Sequence, residues 1–119
     1  MGFVPVKVGL ENVVSSASWC EAELLVDTGA LYSMVPAPLL CEVGVTPRHR
    51  LSFDLANGTT AERDDGEVNF VVDGRDALSP VILGEETDAT VLGVMILEAM
   101  GMEVAPLRGQ IRPVRLILY

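Results

Sequence analysis

The residues Asp27-Thr28-Gly29-Ala30 place a carboxylate directly after an apolar run that ends at Val26. A carboxylate at the mouth of a buried strand can serve as a general acid or base. Thr28 can hydrogen-bond to the neighbouring backbone, and Gly29 permits a tight turn and the close approach of a second chain. Acid–base chemistry at Asp27 is one interpretation, and a polar turn at a strand end is the other.

The elements around this motif are predicted to be mainly β, with two short helices. Because Pro5 cannot donate a ladder hydrogen bond, we expect the first strand to lie at an edge or to pair on one side only. The unbroken run of residues 24–26 predicts burial on both faces of its strand. The predicted strands cover residues 4–10, 13–17, 22–26, 51–55, 67–72, 77–83, 102–104 and 112–119.

Turn and helix signals divide these strands. Asn57-Gly58 lies between extended segments and predicts a hairpin with a type I′ turn, and Asp73-Gly74 predicts a second such turn. A proline near the start and a glycine at the end bracket a helix of about two turns over residues 36–44. Residues 91–100 contain the longer predicted helix, which Gly101 closes.

Composition limits the possible functions. The chain has 119 residues, of which 50% are hydrophobic and 21% are charged, so it is predicted to fold as one domain, residues 1–119. A net charge of −9 with no basic run argues against nucleic acid or an anionic membrane surface as partner. No apolar stretch approaches the roughly 20 residues that span a bilayer, and no basic segment precedes an apolar one at the N-terminus, so we expect a cytoplasmic protein.

Cysteine and histidine usage predicts no zinc site. Cys20, Cys41 and His49 have no spacing typical of zinc ligands, and two cysteines are too few for a disulfide framework. Both thiols are therefore expected to be reduced.

Several motifs in order resemble one protein family. Residues 27–30, after an apolar strand, resemble the active-site loop of retropepsin-like aspartic proteases. Further along the chain, in the family's order, come a short helix, a hairpin with Asn57-Gly58 at its tip, and Val91-Leu92-Gly93 leading into a helix. Residues 92–104 resemble the family's last helix and the strand after it. The resemblance spans about residues 4–115 and is closest to small single-domain aspartic protease-like proteins of prokaryotes.

This resemblance implies a mainly β, retropepsin-like half-barrel with two short helices, in which two subunits form the cleft. It implies that Asp27 is catalytic, that Thr28 bonds across the dimer, and that Gly29 and Ala30 line the cleft floor. Val91, Leu92 and Gly93 would thread behind the catalytic loop. The hairpin of residues 51–72 would be a flap whose tip, Asn57 and Gly58, covers the substrate.

The chemistry then requires a partner chain. Peptide hydrolysis by this route needs two carboxylates, one to activate water and one to protonate the carbonyl oxygen. The sequence holds no second Asp-Thr-Gly or Asp-Ser-Gly, and Asp54 is predicted to point outward from its strand. The resemblance therefore predicts an endopeptidase that is active as a homodimer on a peptide or protein, and it implies no metal or organic cofactor. We expect the N-terminal strand and residues 115–119 to form the inter-subunit sheet.

Two alternatives remain at this point. A dimeric peptide-binding or assembly module could keep the same fold with weak or absent proteolysis, and a monomeric acidic β-domain could use Asp27 only to end a strand. Tyr32 and Ser33 depart from the small or acidic residues common at this position in retroviral enzymes. The charged run of residues 62–65 departs from a glycine-rich flap, and we expect its side chains to be solvated.

Overall fold

The computed structural model describes residues 4–15, 17–105 and 109–114. Within them the chain forms nine strands and two helices, which confirms the mainly β prediction with two short helices. In chain order the elements are β1 (Val4–Glu11), β2 (Trp19–Val26), β3 (Ser33–Pro36), α1 (Ala37–Val43), β4 (His49–Asp54), β5 (Thr60–Val72), β6 (Arg75–Gly84), β7 (Val91–Leu92), α2 (Val94–Met100), β8 (Met102–Ala105) and β9 (Gln110–Pro113).

Seven of these strands form one sheet that closes on itself. Its order is β1-β2-β7-β3-β6-β5-β4, and an additional pairing of β1 with β5 joins the two sides into a ring. Strand β4 lies outside the ring and extends the sheet from β5. Strands β8 and β9 form a separate two-stranded sheet. The ring encloses the core and carries the β4–β5 hairpin as an arm.

The longest strand, β5, links the hairpin to the ring. Its first half pairs antiparallel with β4, residues 64–72 pair with β6, and residues 69–71 also pair with β1. The β5–β6 connection is the predicted type I′ turn, because Asp73 and Gly74 both have positive φ, at 48° and 78°.

The core is formed by the inward faces of the strands and by both helices. Alternation along β2 buries Leu24 and Val26, while Leu25 between them is 37% exposed. The prediction that this run is buried on both faces was wrong, because only one face of β2 is directed into the ring. The largest fully buried side chains include Phe70, Leu10, Leu24, Leu40, Leu92 and Ile96.

Both helices lie where the sequence predicts them. Helix α1 follows Pro36 and ends at Gly44, and α2 ends at Gly101, with both glycines in left-handed conformation. Each helix has seven residues, so α2 is not the longer one, because Val91 and Leu92 form strand β7 before the helix begins.

The strand predicted for residues 13–17 does not form in the described part of that segment, residues 13–15 and 17. The Asn12 carboxamide oxygen accepts hydrogen bonds from the N–H groups of Val14 and Ser15, at 2.8 and 3.1 Å, and this turns the chain. The extended segment resumes only at Trp19. At Pro5 the described pairing of β1 is with β2 alone, as predicted, whereas Gly9–Glu11 also pairs with β5.

The last predicted strand is only partly covered by the structure. Strand β9 ends at Pro113, and the prediction for residues 115–119, including their place in an inter-subunit sheet, lies outside the described residues. No helix in the described part of the chain is long and apolar enough to cross a membrane.

A matched pair of substitutions tests the one-sided burial of β2. We expect Leu24→Ala to lower the free energy of unfolding by about 2–5 kcal/mol, because it leaves a cavity in the core. Leu25→Ala should cost about 1 kcal/mol or less, since that side chain already contacts solvent. Urea unfolding of both variants measures the difference, and equal losses would contradict this orientation of the strand.

Candidate active site

Asp27 lies at the point where β2 ends and the chain turns. Its N–H donates to the carbonyl of Leu92 at 3.0 Å, and its own carbonyl accepts from the N–H of Ala30 at 3.1 Å. The carboxylate oxygen Oδ1 accepts from the N–H of Gly29 at 2.9 Å. These bonds orient the half-buried carboxylate, while Thr28 and Gly29 are exposed beside it.

Strand β7 runs behind this loop. It lies between β2 and β3, which are consecutive in sequence, so residues 27–32 must pass across its end. Leu25 and Val26 pair in parallel with Val91 and Leu92, and Met34 pairs antiparallel with Val91. The structure thus brings the two predicted segments, residues 27–30 and 91–93, into direct contact.

The start of α2 is bonded to the same loop. The N–H of Val94 donates to the carbonyl of Ala30 at 2.8 Å, and that of Met95 donates to the carbonyl of Leu31 at 3.1 Å. The first N–H groups of a helix have no partner within it. Here the loop supplies those partners, so the helix and the loop hold each other in place.

Gly93 is packed against the loop backbone. A β-carbon at this position would lie 2.6 Å from the carbonyl carbon and oxygen of Tyr32 and 2.7 Å from the carbonyl oxygen of Leu31. Any other residue would push the two segments apart. The N–H of Gly93 donates to the buried hydroxyl of Ser33 at 2.9 Å, which fixes β7 to the start of β3.

Asn57 and Gly58 lie at the tip of the β4–β5 hairpin, as predicted, but the turn is of another type. Only Gly58 has positive φ, at 85°, so this is not a type I′ turn. Leu55 and Thr59 close a wider loop, with the N–H of Gly58 bonded to the carbonyl of Leu55 at 3.0 Å. The side-chain oxygen of Asn57 accepts hydrogen bonds from the N–H and the hydroxyl of Thr59. These bonds stabilise the wider loop in place of the predicted two-residue turn.

A cavity of about 460 Å³ lies between the hairpin and the loop, and we call it the hairpin pocket. Tyr32 on the loop side meets Phe53 on the hairpin edge to face, with ring centroids 6.3 Å apart and planes at 86°. Within the described chain, the tip residues Asn57 and Gly58 are not part of its wall. The wall consists of Ala30, Leu31, Tyr32, Met34, Phe53, Leu55, Ala61, Arg63, Ile82, Asp88 and Val91.

The two charged residues of the hairpin pocket form an ion pair. Arg63 donates from Nε and Nη2 to the two carboxylate oxygens of Asp88, at 2.7 and 3.0 Å. The side chains are only 16% and 18% exposed, which corrects the expectation that residues 62–65 are all solvated. Glu85 lies 3.5 Å from Arg63, and its N–H donates to Asp88 at 2.7 Å.

The ion pair shifts the pKa of Asp88 and the pKa of Arg63. The hydrogen bond from Arg63 is the main cause that lowers the pKa of Asp88, and the N–H of Glu85 adds to it, against an opposing effect of burial. The hydrogen bond to Asp88 likewise raises the pKa of Arg63. Both groups are therefore charged at neutral pH.

The structure shows no candidate metal site among residues 4–15, 17–105 and 109–114. Within these ranges, no three His, Cys, Asp or Glu side chains lie close enough together to hold an ion. His49 instead lies 3.1 Å from a carboxylate oxygen of Asp65 on the neighbouring strand. Cys20 and Cys41 are free thiols, and burial, followed by the charge of Glu42, raises the pKa of Cys20.

Comparison with solved structures identifies the fold. The simian foamy virus (mac) protease superimposes with a TM-score of 0.56 at 18% identity, covering 79% of this chain and 91% of that protein. The fold is retropepsin-like. A foamy viral protease–reverse transcriptase, solved with an RNA/DNA hybrid, superimposes with a TM-score of 0.54 at 17% identity. That match covers 96% of this chain, which spans 13% of the longer protein.

The sequence comparisons add no closer relative. No family model matches the chain, and no curated protein matches it. The shared feature is therefore the retropepsin-like fold itself.

Sequence reasoning missed three contributors to this site. Ser33 was noted only as a departure from the family, and no local pattern signals that its hydroxyl would be buried against Gly93. Arg63 is two residues from Ala61, so strand alternation could have placed both on one face. Its partner Asp88 is 25 residues away in a loop, where no periodicity applies.

Ser33→Ala tests the bond that fixes β7. We expect a loss of about 1–3 kcal/mol in the free energy of unfolding, because the N–H of Gly93 is left buried without an acceptor. Ser52→Ala, which removes an exposed hydroxyl from β4, should stay within about 0.5 kcal/mol. Urea unfolding measures both, and a neutral Ser33→Ala would show that the bond does not hold the loop.

Asp88→Asn should destabilise the fold in a pH-dependent manner. The pKa of Asp88 is lower in the folded protein than the ordinary aspartate value of about 3.9. The ion pair therefore stabilises fully above that value and is lost as the pH falls through the folded-state pKa. The stability difference between wild type and variant should be largest near pH 7 and shrink below about pH 4. Thermal unfolding across this range checks the trend, and a constant difference would contradict it.

Proposed function

We propose that this protein is an aspartic endopeptidase, active as a homodimer in which each subunit contributes Asp27. The observation that carries the proposal is the placement of Asp27. Its carboxylate is oriented by Gly29 and its backbone is fixed by Leu92, at the end of β2 in a retropepsin-like fold. The hairpin pocket, whose wall includes Ala30, lies next to it.

A dimer supplies the second carboxylate. Two-fold symmetry places the same residue of each subunit across the axis, so a single Asp27 loop is enough for a pair. Two carboxylates at close range cannot both be ionised, and the pair therefore retains one proton. The exposure of Thr28 and Gly29 leaves this loop accessible to a partner.

The proposed reaction needs no metal or organic cofactor. The ionised Asp27 takes a proton from a water molecule as the water oxygen attacks the peptide carbonyl carbon. The protonated Asp27 of the other subunit donates to the carbonyl oxygen, which forms a neutral gem-diol. A carboxyl group then protonates the amide nitrogen while a carboxylate takes a hydroxyl proton, and the C–N bond breaks to an amine and a carboxylic acid.

The β4–β5 hairpin would cover the substrate as a flap. An extended peptide between the hairpin and the Asp27 loop would direct alternate side chains toward the hairpin pocket. Asn57 and Gly58 lie at the tip, where movement of the hairpin would bring them over the peptide. Closure of the flap would exclude water from the reacting bond.

Asp27→Asn tests this proposal. We expect peptide cleavage to fall by about 10³-fold or more, because the amide cannot act as a general base. Asp73→Asn removes an equal charge from an exposed position in the β5–β6 turn, outside the proposed flap, and should leave cleavage unchanged. The assay uses a diverse peptide library from pH 4 to pH 7, with the oligomeric state measured in the same samples.

The result also separates the alternatives. Cleavage by a dimeric wild type that is lost in a still-dimeric Asp27→Asn variant supports the enzyme. A folded dimer that binds peptides but cleaves none would instead favour the peptide-binding module. A stable monomer without cleavage would leave Asp27 as the end of a strand and refute the proposal.

A further inference from the structure

The hairpin pocket is apolar apart from one ion pair. Phe53, Leu55 and Ala61 form its hairpin side, and Arg63 continues the same face of β5. Among the wall residues in the described chain, Arg63 and Asp88 are the only charged ones. A volume of about 460 Å³ falls within the range of pockets that enclose a ligand, about 300–1,000 Å³. This space is large enough for a bulky side chain.

The charge state of the pocket depends on Asp88. A guanidinium in an apolar setting recruits carboxylates strongly, because its planar donors match both carboxylate oxygens. In this structure both oxygens of Asp88 already occupy those donors, at 2.7 and 3.0 Å. Glu85 lies 3.5 Å from the same guanidinium and is 66% exposed, so it contributes less. The paired guanidinium leaves the pocket without a net positive charge.

We infer that Asp88 is a specificity-determining residue, which neutralises Arg63 so that the hairpin pocket accepts a bulky apolar or aromatic side chain and rejects an acidic one. The inference rests on the proposed function in one respect, namely that the ligand is an extended peptide. It adds the class of side chain selected and the residue that sets the selection.

The position of the pocket connects it to the reacting bond. Its wall includes Ala30, whose N–H is bonded to the carbonyl of Asp27. A peptide bond held at Asp27 would therefore have a neighbouring side chain close to this wall. Tyr32 and Phe53 present an edge-to-face aromatic surface there, which favours contact with a third ring.

Peptide binding to an Asp27→Asn dimer tests the inference without turnover. The probes are octapeptides of one fixed sequence in which a single position is replaced by Phe, Ala or Glu. The replacement is made at each position along the peptide in turn. At the position that enters the pocket, we expect Phe to bind about tenfold more tightly than Ala, and Glu to bind more weakly than Ala. Fluorescence anisotropy at fixed ionic strength gives the affinities.

Removing the neutralising carboxylate should let the pocket accept an acidic side chain. In Asp27→Asn/Asp88→Asn, affinity for the Glu peptide at that position should rise by about tenfold, since the N–H donors of the Arg63 guanidinium are freed for the peptide carboxylate. Glu86→Gln in place of Asp88→Asn removes an equal charge from the same exposed loop and should leave the order unchanged. Adding Arg63→Met to Asp88→Asn removes both charges and should abolish the gain for Glu.

A second variant keeps the test decisive if Asp88→Asn does not fold. Ala61→Leu, in the Asp27→Asn dimer, fills the hairpin pocket and should reduce the Phe advantage while leaving the Ala peptide unaffected. A Phe preference that survives Ala61→Leu, or a Glu affinity that Asp88→Asn does not raise, would overturn the inference.

Cleavage by the unmodified enzyme separates the inference from the proposed function. If wild type cleaves no peptide but the Asp88-dependent binding order holds, the endopeptidase proposal fails and the pocket assignment stands. If wild type cleaves peptides through Asp27 without any Asp88-dependent preference, the endopeptidase stands and the pocket assignment fails.

Discussion

The close approach of Gly93 to the backbone of Leu31 and Tyr32 is the constraint on which the rest of the site depends. Because Gly93 has no β-carbon, β7 can lie directly behind the Asp27 loop, where the carbonyl of Leu92 accepts a hydrogen bond from the N–H of Asp27. The same contact directs the first N–H groups of α2 at the loop carbonyls. Backbone hydrogen bonds on both sides thus hold a short segment in one conformation, without any need for long side chains.

A second constraint joins the hairpin to the body of the protein. The Arg63–Asp88 pair connects β5 to the segment before β7, and the Tyr32–Phe53 contact connects the hairpin to the Asp27 loop. An ion pair of this kind gives little more stability than well-packed apolar residues would, although removing one of its partners is costly. Its effect is geometric, since the bidentate contact fixes where two otherwise separate segments lie.

Local patterns in the sequence predicted the hairpins, both helices and the strand that precedes Asp27, because alternation and turn chemistry act over a few residues. They failed where the outcome depended on distant neighbours. Leu25 is exposed because β2 has only one face toward the ring, and Ser33 is buried because β7 covers it. Asn12 turns the chain directly after β1 by accepting a hydrogen bond from the N–H of Val14. The preference of asparagine for such turns was the local signal that no strand would follow at residue 13. The pairing of Arg63 with Asp88 required the tertiary structure.

Strand β5 connects the hairpin directly to the closed ring. Its 13 residues run without interruption from the hairpin, where they pair with β4, to the closure of the ring, where they pair with β1. At about 3.3 Å per residue, such a strand is about 43 Å long when fully extended, comparable to the 39 Å longest dimension of the protein. Because Asp64 and Asp65 pair with β4 on one side and with β6 on the other, no unpaired residue of β5 separates the hairpin from the ring.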